Sequence, residues 1–124
     1  MKKNSLLIVV LSMIAMVFVG CGQNVQPPLY NWGNYVKSST EYGVDGHNKE
    51  VIEKHLQELE KIISESEANK QRVAPGLYAE YGQILFEANQ KEKAKKYFVL
   101  EKETYPESEK FIKIFTAKAY GEAL

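Results

Sequence analysis

Apolar and polar positions divide this chain into unlike parts. Residues 6–19 form an apolar run interrupted only by Ser12. Residues 23–28 are polar, show no periodicity and end in Pro27-Pro28, the make-up of an extended tether. Beyond residue 48 a period near 3.6 takes over. Within 49–66, Ile52, His55, Leu56, Leu59, Ile62 and Ile63 fall on one stripe, which predicts an amphipathic helix. Asn48 is placed to cap that helix, and Glu50 with Lys54 makes a favourable pair one turn apart. A polar connection over 68–75 leads to a helix over 77–88, with Pro75 just ahead of its first turn. Asn89-Gln90 predicts a tight turn, and 91–103 the next helix. Pro106 punctuates, and Phe111, Ile112, Ile114, Phe115 and Ala119 mark a last helix over 107–120. Tyr42-Gly43-Val44-Asp45-Gly46 reads as a loop, since its glycines permit positive φ. No segment alternates with the period of a strand. The expected class is all-α, with about four helices.

The apolar run at the start has its own logic. Lys2 and Lys3 precede it as a short positive region. It is too short to cross a bilayer comfortably, which takes about 20 residues, but it suits the core of a secretory signal. Phe18-Val19-Gly20-Cys21 follows, and Phe18 is too large for an ordinary small-x-small cleavage site. The four residues resemble a bacterial lipobox, although Phe18 stands where leucine is usual. The resemblance implies a diacylglycerol thioether on Cys21, cleavage before it and N-acylation after. Several acyl chains, at about 0.8 kcal/mol per buried methylene, make such an anchor stable where one chain is marginal. Gly22, rather than aspartate, implies the outer membrane facing the periplasm. The domain plan is then a signal peptide at 1–20, lipidated cysteine and tether at 21–28, and a helical domain at 29–124.

Within that domain, Tyr78, Tyr81, Gly82 and Leu85, then Ala94, Phe98 and Pro106, follow the order of the tetratricopeptide repeat, W-x2-L-G-x2-Y, A-x3-F, P. The physical reason is steric. Small residues at Gly82 and Ala94 let two helices approach, while Tyr78, Leu85 and Phe98 fill the groove between them. Glu101 stands where a small residue is usual, which argues against tight packing of a following repeat. One repeat does not bury its own faces, so the Trp32–Tyr35 segment with the 49–66 helix reads as a degenerate first pair, and 107–120 as a cap. The lipobox, the tether, LYNWGNY at 29–35, PGLYAEYGQILFEANQ at 75–90 and YPES at 105–108 together resemble a family of small bacterial lipoproteins of unknown function. The resemblance implies a gene neighbourhood shared with a lipoprotein similar to the curli secretion channel. It carries no catalytic residues to transfer.

Composition narrows the chemistry. Residues 1–20 hold two of the sixteen basic residues and no acidic one, so the remainder has 14 basic against 16 acidic. That balance lacks the clustered basic surface of a nucleic-acid binder. A single cysteine makes no internal disulfide. His47 and His55, the only histidines, lack the spacing of a helical metal pair, and His55 reads as a packing residue. No nucleophile elbow or phosphate loop is present. The expectation is therefore no catalytic residues, no metal, no cofactor and no small-molecule substrate. It is a membrane-tethered interaction module whose partners are other envelope proteins, among them a secretion-channel-like lipoprotein. The alternatives are an activator of a cell-wall enzyme, or a structural lipoprotein that oligomerises. Trp32 and Tyr35, with Tyr78 and Tyr81 where they are not buried, are the expected partner contacts.

Overall fold

The computed structural model describes residues 26–121 and Leu124. Five α-helices follow one another: α1 at Tyr35–Asp45, α2 at Lys49–Ala68, α3 at Leu77–Glu87, α4 at Lys91–Thr104 and α5 at Glu109–Tyr120. A short 3-10 turn, Pro106–Ser108, precedes the last. Among the described residues there is no strand, so the protein is all-α as its periodicity requires. Residues 1–25, and with them Cys21 and the signal segment, lie outside the described residues.

Where the expected and observed elements differ, a tertiary contact is responsible. Tyr42–Asp45 continues α1 rather than forming a loop. A glycine inside a helix costs roughly 1 kcal/mol relative to alanine. Tyr42 offsets that deficit by laying its ring flat against His55 of α2, with centroids 4.8 Å apart and planes 19° apart. Among the described residues the helices number five. Elsewhere the local signals behave as expected. Asn48 accepts the Glu50 N–H at 3.0 Å, and Lys54 reaches Glu50 at 2.7 Å. Asn89 takes the left-handed conformation, φ +62°, that closes the α3–α4 turn.

Consecutive helices run antiparallel. Ser38 of α1 meets His55 of α2, and Asn34 ahead of α1 meets Glu58. Tyr78 at the start of α3 reaches Glu67 near the end of α2. Phe98 of α4 packs on Phe115 of α5, while the Tyr120 hydroxyl donates to the Lys91 carbonyl. The buried core runs through α2, α3 and α4, with Leu59, Ile62, Leu77, Tyr81, Leu85, Ala94 and Phe98 almost wholly enclosed. Ile112 extends it into α5.

Helices α3 and α4 approach closely at Gly82. A Cβ on Gly82 would lie 3.1 Å from Phe98 Cε1 and 3.2 Å from the Ala94 carbonyl oxygen. The Ala94 oxygen is backbone and has little freedom to yield, so the small residue at 82 sets the helix separation. Gly76, ahead of α3, provides no side-chain cap. The cap comes instead from α4: Glu101 is buried, and its Oε1 accepts the Gly76 N–H at 2.9 Å. Glu101 therefore serves the start of α3, and α5 docks on α4 through Phe98 rather than through a small residue at 101. Glu101 Oε2 is also buried and has no hydrogen-bond partner. Burial pushes the carboxyl pKa above its usual 4.5, outweighing the Gly76, Ala79 and Tyr78 N–H groups that act to lower it.

Two outcomes follow from this packing. Gly82→Leu forces α3 and α4 apart and destabilises the fold by about 1–3 kcal/mol in urea unfolding, the usual range for overpacking; an unchanged midpoint contradicts the packing account. A carboxyl whose folded pKa is raised contributes most below its unfolded value, and that contribution is lost as pH rises through the folded value. Wild type therefore loses melting temperature relative to Glu101→Gln as pH climbs from about 4 to 7. A relative gain over that window shows Glu101 buried as a stabilised anion instead.

Candidate functional site

Helix α1 has no buried residue, so apolar packing alone does not hold it. Carboxylates and one imidazole hold it instead. Glu58 of α2 accepts the Asn34 N–H at 2.7 Å, placing negative charge at the start of α1, where the helix dipole favours it. Gly33 makes that approach possible. Its φ is +43°, and a Cβ there would lie 2.6 Å from Glu58 Oε1 and 2.9 Å from Ile62 Cγ1. Asn31 Nδ2 adds a bond to Glu65 Oε2 at 3.0 Å.

The centre of the arrangement is His55, fully buried on α2. Its Nδ1 lies 2.7 Å from Ser38 Oγ of α1, and its Nε2 lies 2.9 Å from Glu80 Oε1 of α3. The second Glu80 oxygen accepts the Tyr35 hydroxyl at 2.9 Å. A carboxylate only accepts, which places a proton on Nε2 and, in the neutral ring, leaves Nδ1 to accept from Ser38. Burial first, and the bond to Glu80 second, push the Tyr35 phenol up to about 12. The whole chain, Ser38–His55–Glu80–Tyr35, thus joins three helices with every buried polar atom of the imidazole satisfied.

Hydroxyl, imidazole and carboxylate in series also describe a nucleophilic relay. In this protein the imidazole between them is fully buried. Ser38 lies in the first turn of α1, where its own N–H is committed to the Asn34 carbonyl at 3.0 Å. Tyr42 covers one face of the imidazole. What the arrangement does chemically is fix a tautomer and a helix position. Sequence reasoning read His55 as packing and gave Ser38 and Glu80 no role, because their partnership crosses three helices and leaves no spacing along the chain.

The expected contact residues separate into two groups. Trp32 remains 44 % exposed, edge-on to Tyr30 and against Tyr35. Tyr35 is half-buried with its hydroxyl committed to Glu80. Tyr78 and Tyr81 are buried, which removes them as partner contacts. The reason is their place on α3, the helix flanked by both α2 and α4. Their hydroxyls serve the interior edge: Tyr78 donates to Glu67 at 3.0 Å, and Tyr81 accepts from Lys93 Nζ at 2.9 Å.

Exposed apolar side chains lie elsewhere. Phe111 and Ile114, 55 % and 63 % exposed, stand three residues apart on α5, while Ile112 between them is buried. Leu29 ahead of α1, and Val36 and Val44 along it, are also exposed. Helical periodicity placed Phe111 and Ile114 in a helix but not on its free face, since both faces of α5 carry apolar residues. Among the described residues there is no group of three or more metal-ligating side chains, and no helix is long and apolar enough to cross a membrane. A cleft of about 400 Å³ lies where α1 ends, floored by Tyr42, Ile52, Leu56 and Ile84 with Lys49, Glu53 and Glu87 at its edge.

A family profile described as "Domain of unknown function (DUF4810)" matches residues 29–115, from the first residue after the tether into α5. No curated protein and no solved structure matches the chain.

The His55 network makes a direct prediction. His55→Ala leaves Ser38 and Glu80 without their partner and removes the surface under Tyr42, at a cost of about 2–4 kcal/mol. Because Trp32 is the only tryptophan and packs on Tyr35, its fluorescence reports on the segment that leads into α1. In the variant, Trp32 should become accessible to acrylamide at lower urea than the loss of helical circular dichroism. Coincident transitions with an unchanged midpoint would show that α1 does not depend on the imidazole.

Proposed function

The chain belongs to the DUF4810 family, and from that premise we propose that it is a lipid-anchored adaptor of the bacterial envelope, non-enzymatic, that binds a helix of a partner protein. The observation that carries the reading is the free face of α5. Phe111 and Ile114 project from the terminal helix of the stack, flanked along it by Lys110, Lys113 and Lys118. Apolar residues three apart suit the knobs of an amphipathic helix laid alongside. The three lysines outnumber Glu107 and Glu109, the second of which pairs with Lys113 at 2.7 Å, so a partner helix with acidic flanks is favoured.

The tetratricopeptide-like reading supports this use of the fold. Gly82 and Ala94 bring α3 and α4 together as that repeat requires, and a terminal helix with an apolar free face is where a further repeat would stack. The anchor supports it too. An acylated Cys21 confines the domain to the periplasmic face of the outer membrane, raising its effective concentration toward partners on that membrane. By family resemblance, the first partner to test is a lipoprotein similar to the curli secretion channel.

A photo-crosslinker in place of Phe111, in cells, should capture an envelope protein through a peptide that is an acidic amphipathic helix. Ile114→Glu should abolish that crosslink while α-helical content is kept. Crosslinks only to a second copy of this chain would replace the adaptor with a structural oligomer. In the same strain, Cys21→Ser should abolish fatty-acid labelling; persistent labelling sinks the anchor.

A further inference from the structure

We infer that the tether end of the domain, Leu29 and Trp32 with Tyr30 beside them, seats on the lipid surface; this rests on the proposed acylation of Cys21. Three observations converge on that end. The chain enters the domain at Pro28, whose carbonyl accepts Gln71 Nε2 at 2.7 Å in the α2–α3 connection. Pro27 and Pro28 share one shallow depression with Asn69, Lys70 and Gln71, so the tether lies against this end before it leaves. Six residues lie between Cys21 and Pro28, and the seven steps fully extended span at most ~25 Å. An acylated cysteine therefore keeps this end within that distance of the headgroups.

The side chains at that end suit the position. Leu29 is 71 % exposed and Trp32 44 % exposed, within four residues of the tether. Tyr30 packs edge-on to Trp32 at 6.2 Å, giving a small amphipathic aromatic group. Trp and Tyr are the residues that settle at the membrane–water boundary, with the ring among acyl carbons and the polar atom at the headgroups. Exposed Lys70, on the same connection as Gln71, adds a cation that anionic headgroups favour.

The group is also rigid with respect to the helices. Asn31 is bonded to Glu65 and Asn34 to Glu58, while Gly33 seats the backbone directly on Glu58 and Ile62. The residues that would enter the lipid are thus fastened to α2, and seating them orients the whole domain. The α1–α2 and α3–α4 turns then lie at the far end, away from the bilayer. A domain with a mere flexible leash would tumble; one with this seat presents α5 in a fixed attitude.

The test uses the full acylated protein and its one tryptophan. The protein, its acylation verified by intact mass, is reconstituted in vesicles of phosphatidylethanolamine and phosphatidylglycerol, with or without bromine on the acyl chains. Bromolipid should quench Trp32 and shield it from acrylamide. Leu29→Glu, at an exposed position that leaves the fold intact, should lose that quenching while the protein stays vesicle-bound. Acylated protein whose Trp32 is untouched by bromolipid and fully open to acrylamide overturns this inference and leaves the anchor standing. Absence of acyl mass on Cys21 overturns both. Shielding of Trp32 only when a partner protein is added overturns the lipid seat in favour of a protein contact.

Discussion

An imidazole taken entirely out of water must have both ring nitrogens bonded, because a buried polar atom without a partner costs about 1–3 kcal/mol. In this protein the partners of that imidazole come from two other helices. His55 stands on α2, Ser38 on α1 and Glu80 on α3, and Tyr35 returns from α1 to the same carboxylate. Helix α1 buries no residue of its own. Its attachment therefore depends on this polar junction, supplemented by the Tyr42 ring stacked on His55. The aromatic group just ahead of α1 is fastened to α2 separately, by Asn31 to Glu65 and Asn34 to Glu58.

The same economy appears at the helix starts. Neither Asn34 nor Gly76 caps its helix with its own side chain. Glu58 serves the first and Glu101 the second, each from the neighbouring helix. A carboxylate is the right group at a helix N-terminus, where unpaired N–H groups carry partial positive charge. Supplying it from another element makes the start of one helix conditional on the docking of the next. Glu101 bears the cost, buried with one oxygen unpaired and its proton held more tightly than in water. The hairpins are thus coupled by their caps as well as by their cores.

This division of labour leaves distinct surfaces. The tyrosines of α3 are consumed in the interior, where Tyr81 meets Tyr97 edge-on at 4.6 Å and reaches Lys93. Outside, besides Val36 and Val44 of α1, are the aromatic group at the tether end and the Phe111–Ile114 face of α5. One lies where the chain leaves toward the proposed anchor, and the other on the last helix of the stack. The proposed adaptor role draws on these two exposed groups.

The order of apolar residues by itself determined the class, most helix positions and the close α3–α4 hairpin. These are local or near-local properties: a 3.6-residue stripe, an Asn48 cap, an Asn89 turn, a Gly82 small enough for Phe98. The family profile of unknown function matches residues 29–115, a stretch that contains the LYNWGNY and 75–90 segments of the resemblance. Tertiary structure decided the rest. It continued α1 through Gly43, because the ring beneath Tyr42 belongs to another helix. It buried Tyr78 and Tyr81 and exposed Phe111 and Ile114, because which face of a helix is free depends on how many neighbours that helix has. It also made His55 the junction of three helices. Its partners lie 17 and 25 residues away in the chain. Periodicity reports one helix at a time; a bond shared among three exists only once they have met.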